Sequence, residues 1–255
     1  NLDEISKLKK FLIKSKINQI DTSKNYKNCE KIIGNTNFTN FSITTKVYIN
    51  TLSSISPFKD AENQIKNSIK KMNIKKNNIN VLIHNSSSLY NSYGIDFYNS
   101  LIKLKDHYPI NKIGLSVYDP ETYICLSKII DIQILQFPLN IFDDRFTKNK
   151  FKNLLIKKGV TMQARSFFLQ GVLLTNYKEL PIHFKKWIPI FESYEKWLNY
   201  NKITALDACI NYLKPHKQIS SFIFGINSIM HINQIIKIDK KKYKKINFIY
   251  SKIDS

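Results

Sequence analysis

The stretch NVLIHNSSSLYNSYGIDFYNSLIKLKDHYPINKIGLS, residues 80–116, decides how this chain folds. It opens on a short apolar run, Asn80–His84, too short for a helix and rich in β-branched residues. A polar stretch follows, then apolar residues at helical spacing over Ile95–Lys105, and a second short apolar run at Lys112–Ser116. Two buried strands joined by a helix cannot be a hairpin. The helix must cross over and return the chain parallel to where it began.

Outward from this unit the same alternation repeats. Further strand-like runs lie at Ile17–Ile20, Phe41–Val47, Ile132–Phe137, Gly159–Ser166 and Ser220–Gly225. Helical spacing marks Leu2–Ile13, Ala61–Met72, Glu121–Ile130, Lys148–Lys158, Ile188–Tyr200, Thr204–Leu213 and Ser228–Lys237. This alternation implies a parallel α/β sheet, either open or closed into a barrel. The six glycines hold no Gly-x-Gly-x-x-Gly after an early strand, which removes the main signature of the open dinucleotide-binding sheet. The expectation is a (β/α)8 barrel in which seven strands are visible and the N-terminal strand would precede Asn1. With 255 residues, one such barrel fills the whole chain, so residues 1–255 are expected to form a single domain.

Composition narrows the function classes. The formal net charge is +21 at pH 7, yet only Arg145 and Arg165 among the 40 basic residues are arginines. Lysine is spread along the chain among many Ile and Asn, a general bias rather than a selected phosphate-binding stripe, and no nucleic-acid partner is expected. No run approaches the ~20 apolar residues that a membrane helix needs, so no membrane partner is expected either. Cys29, Cys125 and Cys209 are odd in number and show no Cys-x-x-Cys spacing; no metal site is expected, and a reducing cytoplasm fits them best. No secretory leader is expected, since no charged start, apolar centre and small-residue cleavage site occur in order.

In a barrel, functional groups gather at the C-terminal ends of strands. Those ends carry Asp21, Lys46, His84, Ser116, Gln136, Arg165 with Ser166, and Gly225. The most specific cluster is IDTSKNY at 20–26, TTKV at 44–47 and VLIHN at 81–85. The chain here resembles the aldo-keto reductase family: an Asp and a Tyr five apart after one strand, a Lys closing the next, and a His closing the one after. The likeness continues through NCEKIIG at 28–34, IGLSVYDPE at 113–121, LQFPLN at 135–140 and FGINS at 224–228.

That resemblance implies reduction of a small-molecule aldehyde or ketone by NADPH or NADH, and the chemistry of the four residues agrees. Hydride addition to a carbonyl leaves an oxyanion that must be protonated. A phenol of pKa ~10 is a weak acid at neutral pH, so Tyr26 needs a neighbouring cation to favour the phenolate. Lys46 supplies that cation, Asp21 fixes the ammonium, and His84 orients the carbonyl oxygen. Read singly, Asp21 with Thr22 is an ordinary helix cap and Tyr26 an ordinary packing residue; a lysine closing a buried strand is harder to explain structurally.

For the cofactor, the resemblance implies Ser116 and Gln136 at the nicotinamide carboxamide, and Gly225, Asn227 and Ser228 at the phosphates where a helix begins. Val117 stands where the family commonly has Asn, and Ile235 where it often has an adenine-contacting Asn. The loop GINSIMH has no Arg for a 2′-phosphate, so NADPH and NADH both stay open. The segment ARSFFLQGVLL at 164–174 resembles the branch linked to bacterial surface-polysaccharide and sugar pathways, which implies a sugar-derived carbonyl. Arg165 with Ser166 suits a cofactor phosphate or an acidic substrate; a structural ion pair is the alternative for Arg165. A non-catalytic cofactor-binding protein of the same fold is the alternative for the whole chain.

Overall fold

The computed structural model describes residues 2–38, 40–75, 79–226, 228–240, 246 and 248. Among them, seven parallel strands form one sheet in sequence order: β1 (Gln19–Asp21), β2 (Ser42–Val47), β3 (Ile79–Ile83), β4 (Ile110–Ser116), β5 (Ile134–Pro138), β6 (Thr161–Arg165) and β7 (Ser221–Phe222). This is the strand order of an α/β barrel. Register is set pair by pair, with Thr44 opposite Asn80, Lys46 opposite Leu82, and Ser116 opposite Gln136. Thr44 and Lys46, two apart on β2, therefore project from the same face.

Helices α2 (Cys29–Asn35), α3 (Pro57–Met72), α4 (Ser92–Leu104), α5 (Pro120–Leu126), α6 (Asn149–Lys157), α7 (Ile188–Tyr200) and α8 (Ala205–Leu213) occupy the connections, with α1 (Leu2–Lys14) before β1 and α9 (Ile229–Lys240) after β7. α3 begins four residues before the expected Ala61. The Ser56 hydroxyl accepts from the Lys59 amide at 3.3 Å and Pro57 takes the first helical position, together a stronger start signal than the apolar spacing. α2 was not expected, because seven residues with a glycine in the middle show no readable period. Three short 3-10 segments, Leu169–Leu174, Tyr177–Glu179 and Ile182–Trp187, were also not anticipated, for the same reason.

Packing divides the chain into two compact units, Asn1–Phe137 with Asn153–Gln163, and Pro138–Lys152 with Ala164–Ser255. In the first, α3 buries Ala61, Ile65, Ser68 and Met72, one stripe at i, i+4, i+7 and i+11. α4 buries Phe97, Tyr98, Leu101 and Leu104. Gly114 on β4 lets the backbones close up: a Cβ there would sit 1.7 Å from the Ile134 carbonyl oxygen. The second unit has its own core of Ile141, Leu173, Phe191, Tyr194, Leu198, Ala208 and Cys209. Burial pushes the Cys209 thiol up to about 12, so it packs as a small apolar group rather than a nucleophile.

Candidate active site

Strand register in the first unit explains why charged groups meet there. β1 and β2 pair with Asp21 opposite Thr44, which sets Asp21 beside the end of β2. The Lys46 ammonium lies 2.6 Å from Asp21 Oδ2, and Lys46 also donates to the Thr22 carbonyl oxygen at 3.1 Å. Lys46 is only 2% exposed and Asp21 13%. Each charge is buried with its counter-charge, which is the condition under which burial is tolerated; removing one partner of such a pair typically costs about 3–5 kcal/mol.

Tyr26 stands over this pair. The Lys46 nitrogen is 5.3 Å from the centroid of the Tyr26 ring, and the tyrosine is 42% exposed, so a polar substrate could reach it. His84 follows β3, whose last bond to β2 runs from the His84 amide to the Val47 carbonyl at 3.0 Å. Its imidazole stands edge-on to Tyr26, with ring centroids 6.3 Å apart and planes at 87°. The four residues expected at strand ends are thus brought together within one unit.

The model of the aldo/keto reductase family matches residues 3–250. The chain belongs to the aldo/keto reductase family. It is accordingly an oxidoreductase of a family that carries out NAD(P)H-dependent carbonyl reduction. Similar solved structures include the holo form of an aldo-keto reductase from Bacillus halodurans, at 16% identity and TM-score 0.73, covering 96% of this chain and 84% of that one. The glycerol dehydrogenase from Gluconobacter oxydans is 15% identical with TM-score 0.63, over 98% and 89% of the two chains. A putative aldo-keto reductase from Pseudomonas aeruginosa is 14% identical with TM-score 0.68, over 94% and 80%. No curated protein sequence matches the chain.

The residues expected at the cofactor separate between the two units. In the first, Ser116 is buried in register with Gln136. The Gln136 amide nitrogen donates to Asp21 Oδ1 at 2.8 Å, so both carboxylate oxygens are occupied, one by Lys46 and one by Gln136. Gln136 Oε1 is buried and has no hydrogen-bond partner among the described residues. An orphaned acceptor pairs with an N–H such as a carboxamide carries, so Gln136 fits a nicotinamide provided that binding uncovers Oε1, which is buried here.

In the second unit, Arg165 Nη1 donates to Ser166 Oγ at 3.1 Å, and the Ser166 carbonyl accepts from Asn140 at 3.3 Å. Ser166 has φ +66°, and Leu169 and Gln170 share this left-handed region, a concentration of strain seen mostly at functional loops. Gly225 is exposed with open space where a Cβ would lie. Ser228 caps the start of α9, its hydroxyl accepting from the His231 amide at 3.3 Å. Asn227 lies outside the described residues.

Several neighbours of these residues escaped the reading of the sequence. Tyr48 packs its ring 4.9 Å from that of His84. Asn85 clamps the chain after β2, accepting from the Ile49 amide and donating to the Ile49 carbonyl, each at 3.1 Å. Thr44, Asn80 and Gln163 are buried polar residues within strands. Thr44 stands two residues before Lys46 and Gln163 two before Arg165, but a polar residue inside a strand does not by itself mark an inward face. No helix among the described residues is long and apolar enough to cross a membrane, and no group of three or more His, Cys, Asp or Glu residues among them could hold a metal ion.

Proposed function

We propose that this protein reduces a small aldehyde or ketone to an alcohol, with Tyr26 as the proton donor. The observation that carries this reading is the buried Lys46–Asp21 pair at 2.6 Å with the accessible Tyr26 ring beside it. A fixed ammonium favours the phenolate left after proton transfer, and therefore lowers the barrier to giving the proton up. Asp21 holds the ammonium in place; without it, the flexible lysine stem would spread over many positions. His84, edge-on to Tyr26, hydrogen-bonds the carbonyl oxygen and directs it to the tyrosine hydroxyl.

A bound NADPH or NADH would supply the hydride, and Tyr26 would give its proton to the carbonyl oxygen. Ser116 and Gln136 receive the carboxamide of the nicotinamide, Gln136 through its unpartnered Oε1. Arg165, Ser166, Gly225, Asn227 and Ser228 are assigned to the phosphates of NADPH or NADH, Ser228 at the start of a helix, where backbone N–H groups favour anions. Residues 1–255 act as one catalytic domain in the cytoplasm, on a sugar-derived carbonyl.

The test is consumption of NADPH and NADH with a panel of aldehydes, ketones and reducing sugars, for the native chain and for Tyr26→Phe. The variant is expected to lose about 10³-fold in kcat while binding dinucleotide within about twofold of the native protein. Unchanged turnover in Tyr26→Phe removes the tyrosine from its role. Binding without any turnover by the native chain assigns a cofactor-binding protein instead.

A further inference from the structure

Behind the charged pair, Gln136 heads a row of neutral side chains whose other members, Gln163, Thr44 and Asn80, have no part in catalysis as described above. Gln136 Nε2 donates both to Asp21 Oδ1 at 2.8 Å and to Gln163 Oε1 at 3.2 Å. Gln163 Nε2 in turn donates to Thr44 Oγ1 at 3.1 Å, and Asn80 Nδ2 donates to the same oxygen at 3.4 Å. Gln136 is fully buried, and Thr44, Gln163 and Asn80 are 3%, 4% and 6% exposed. Interior layers of α/β barrels are usually filled by branched apolar residues. Buried amides are tolerated there only when bonded.

The row has a direction. A primary amide carries two N–H groups, and both of those on Gln136 face acceptors. Turning the Gln136 amide over would set Oε1 against the Asp21 carboxylate and the Gln163 oxygen with no hydrogen between them. Gln163 holds its own orientation because its nitrogen reaches Thr44 while its oxygen faces Gln136. An ionised carboxylate, which can only accept, fixes one end of the row; the Asn80 amide, donating to Thr44, fixes the other.

We propose that Gln163 is a positioning residue that locks the Gln136 amide with its nitrogen on Asp21 and its oxygen presented to the cofactor carboxamide, so that dinucleotide binding and the Lys46–Asp21 pair depend on one shared group. This rests on the assignment of Gln136 to the nicotinamide. Gln163 touches no reactant. It acts through Gln136, on a strand, where a side chain is held more precisely than on a loop.

The test compares Gln163→Leu, Gln136→Leu and the double variant, by dinucleotide titration and by kcat with the best carbonyl of the panel. Gln163→Leu is expected to weaken dinucleotide binding about tenfold and to lower kcat by a similar factor, the scale of one buried hydrogen bond. In the Gln136→Leu background the same change is expected to alter both by less than twofold. A general loss of structural integrity would instead give the same fractional loss in both backgrounds, and that outcome, or an unaltered Gln163→Leu, overturns the proposal. Should Gln163→Leu fail to fold, Gln163→Glu decides. Burial beside the Asp21 carboxylate favours the protonated acid, whose carbonyl accepts from Gln136 and whose hydroxyl donates to Thr44. Its dinucleotide affinity is expected within threefold of native, and a tenfold loss overturns the proposal. A native chain that shows this pattern in binding yet reduces no carbonyl sustains the role of Gln163 and removes that of Tyr26. One that binds neither dinucleotide overturns both.

Discussion

The polar cluster of the first compact unit and the core of the second place their buried side chains by different means, strand-to-strand hydrogen bonds in the one and ring contacts in the other. In the first, position comes from strand register: Asp21, Lys46, Gln136 and Gln163 each stand on a strand, and each hydrogen bond between them runs from one strand to another. In the second, position comes from ring packing around short 3-10 segments. Phe142 meets Phe191 and Tyr194 with centroids 5.5 Å apart in each case, and Phe184 meets Phe191 at 6.0 Å. Directional bonds between rigid strands place a charge to within a fraction of an ångström, as chemistry demands. Ring contacts are less directional and contribute mainly apolar burial. A substitution in the first network is therefore expected to fall on turnover, and one in the second on stability.

The sharpest way to break this contrast is Lys46→Met, which keeps most of the side-chain volume and removes the charge. kcat is expected to fall about 10³-fold, within the range that a positioned acid–base system contributes. Asp21 is left buried beside an apolar group, so urea denaturation is expected to show a loss of about 3 kcal/mol as well. A variant that loses stability but keeps turnover would mean that the pair is a structural strut and that Tyr26 needs no cation.

The converse substitution is Phe191→Ala in the second unit. Phe191 is 6% exposed and touches two other rings, so its truncation is expected to cost about 3 kcal/mol in denaturation experiments. Below the unfolding transition, kcat is expected to stay within about twofold. A large fall in kcat in the folded variant would show that the aromatic core also shapes the site.

The same contrast explains what could be read from the sequence. β2, β3 and β4 lie within two residues of the expected runs, because short β-branched segments between turn residues leave few alternatives. Asp21, Lys46 and His84 stood out because a polar residue closing an apolar run is visible by contrast. Gln163 and Thr44 did not, since a polar residue inside a strand reads equally as a solvent-facing position. Only the pairing of β2 with β3 and the approach of β6 show that both face inward. The dual engagement of Gln136, with Asp21 as well as the position assigned to the cofactor, has no sequence signal at all. Residues 169–187 were illegible for another reason: their 3-10 turns are too short to establish a period, and four positive φ values between Ser166 and Gly171 fall mostly on residues other than glycine. β7, two residues long, was expected to span Ser220–Gly225, where the apolar run continues but the strand does not.

The smallest expected effect tests how a titratable group fares in the second unit. Burial pushes the His216 imidazole below its usual value of 6.5, with the nearby Lys152 ammonium acting in the same direction and the Asp144 carboxylate opposing both. A histidine whose pKa is lowered on folding binds fewer protons in the folded state than in the unfolded chain. The slope of stability against pH is then positive, and stability is lost as pH falls below about 6.5. The denaturation midpoint is therefore expected to rise between pH 5 and pH 7 and to level off above. His216→Gln, which cannot take up a proton, is expected to give a flatter profile over that interval while leaving the midpoint at pH 8 nearly unchanged. Both changes would be followed by circular dichroism across a pH series. An equal slope in the two proteins would assign the acid sensitivity to groups other than His216.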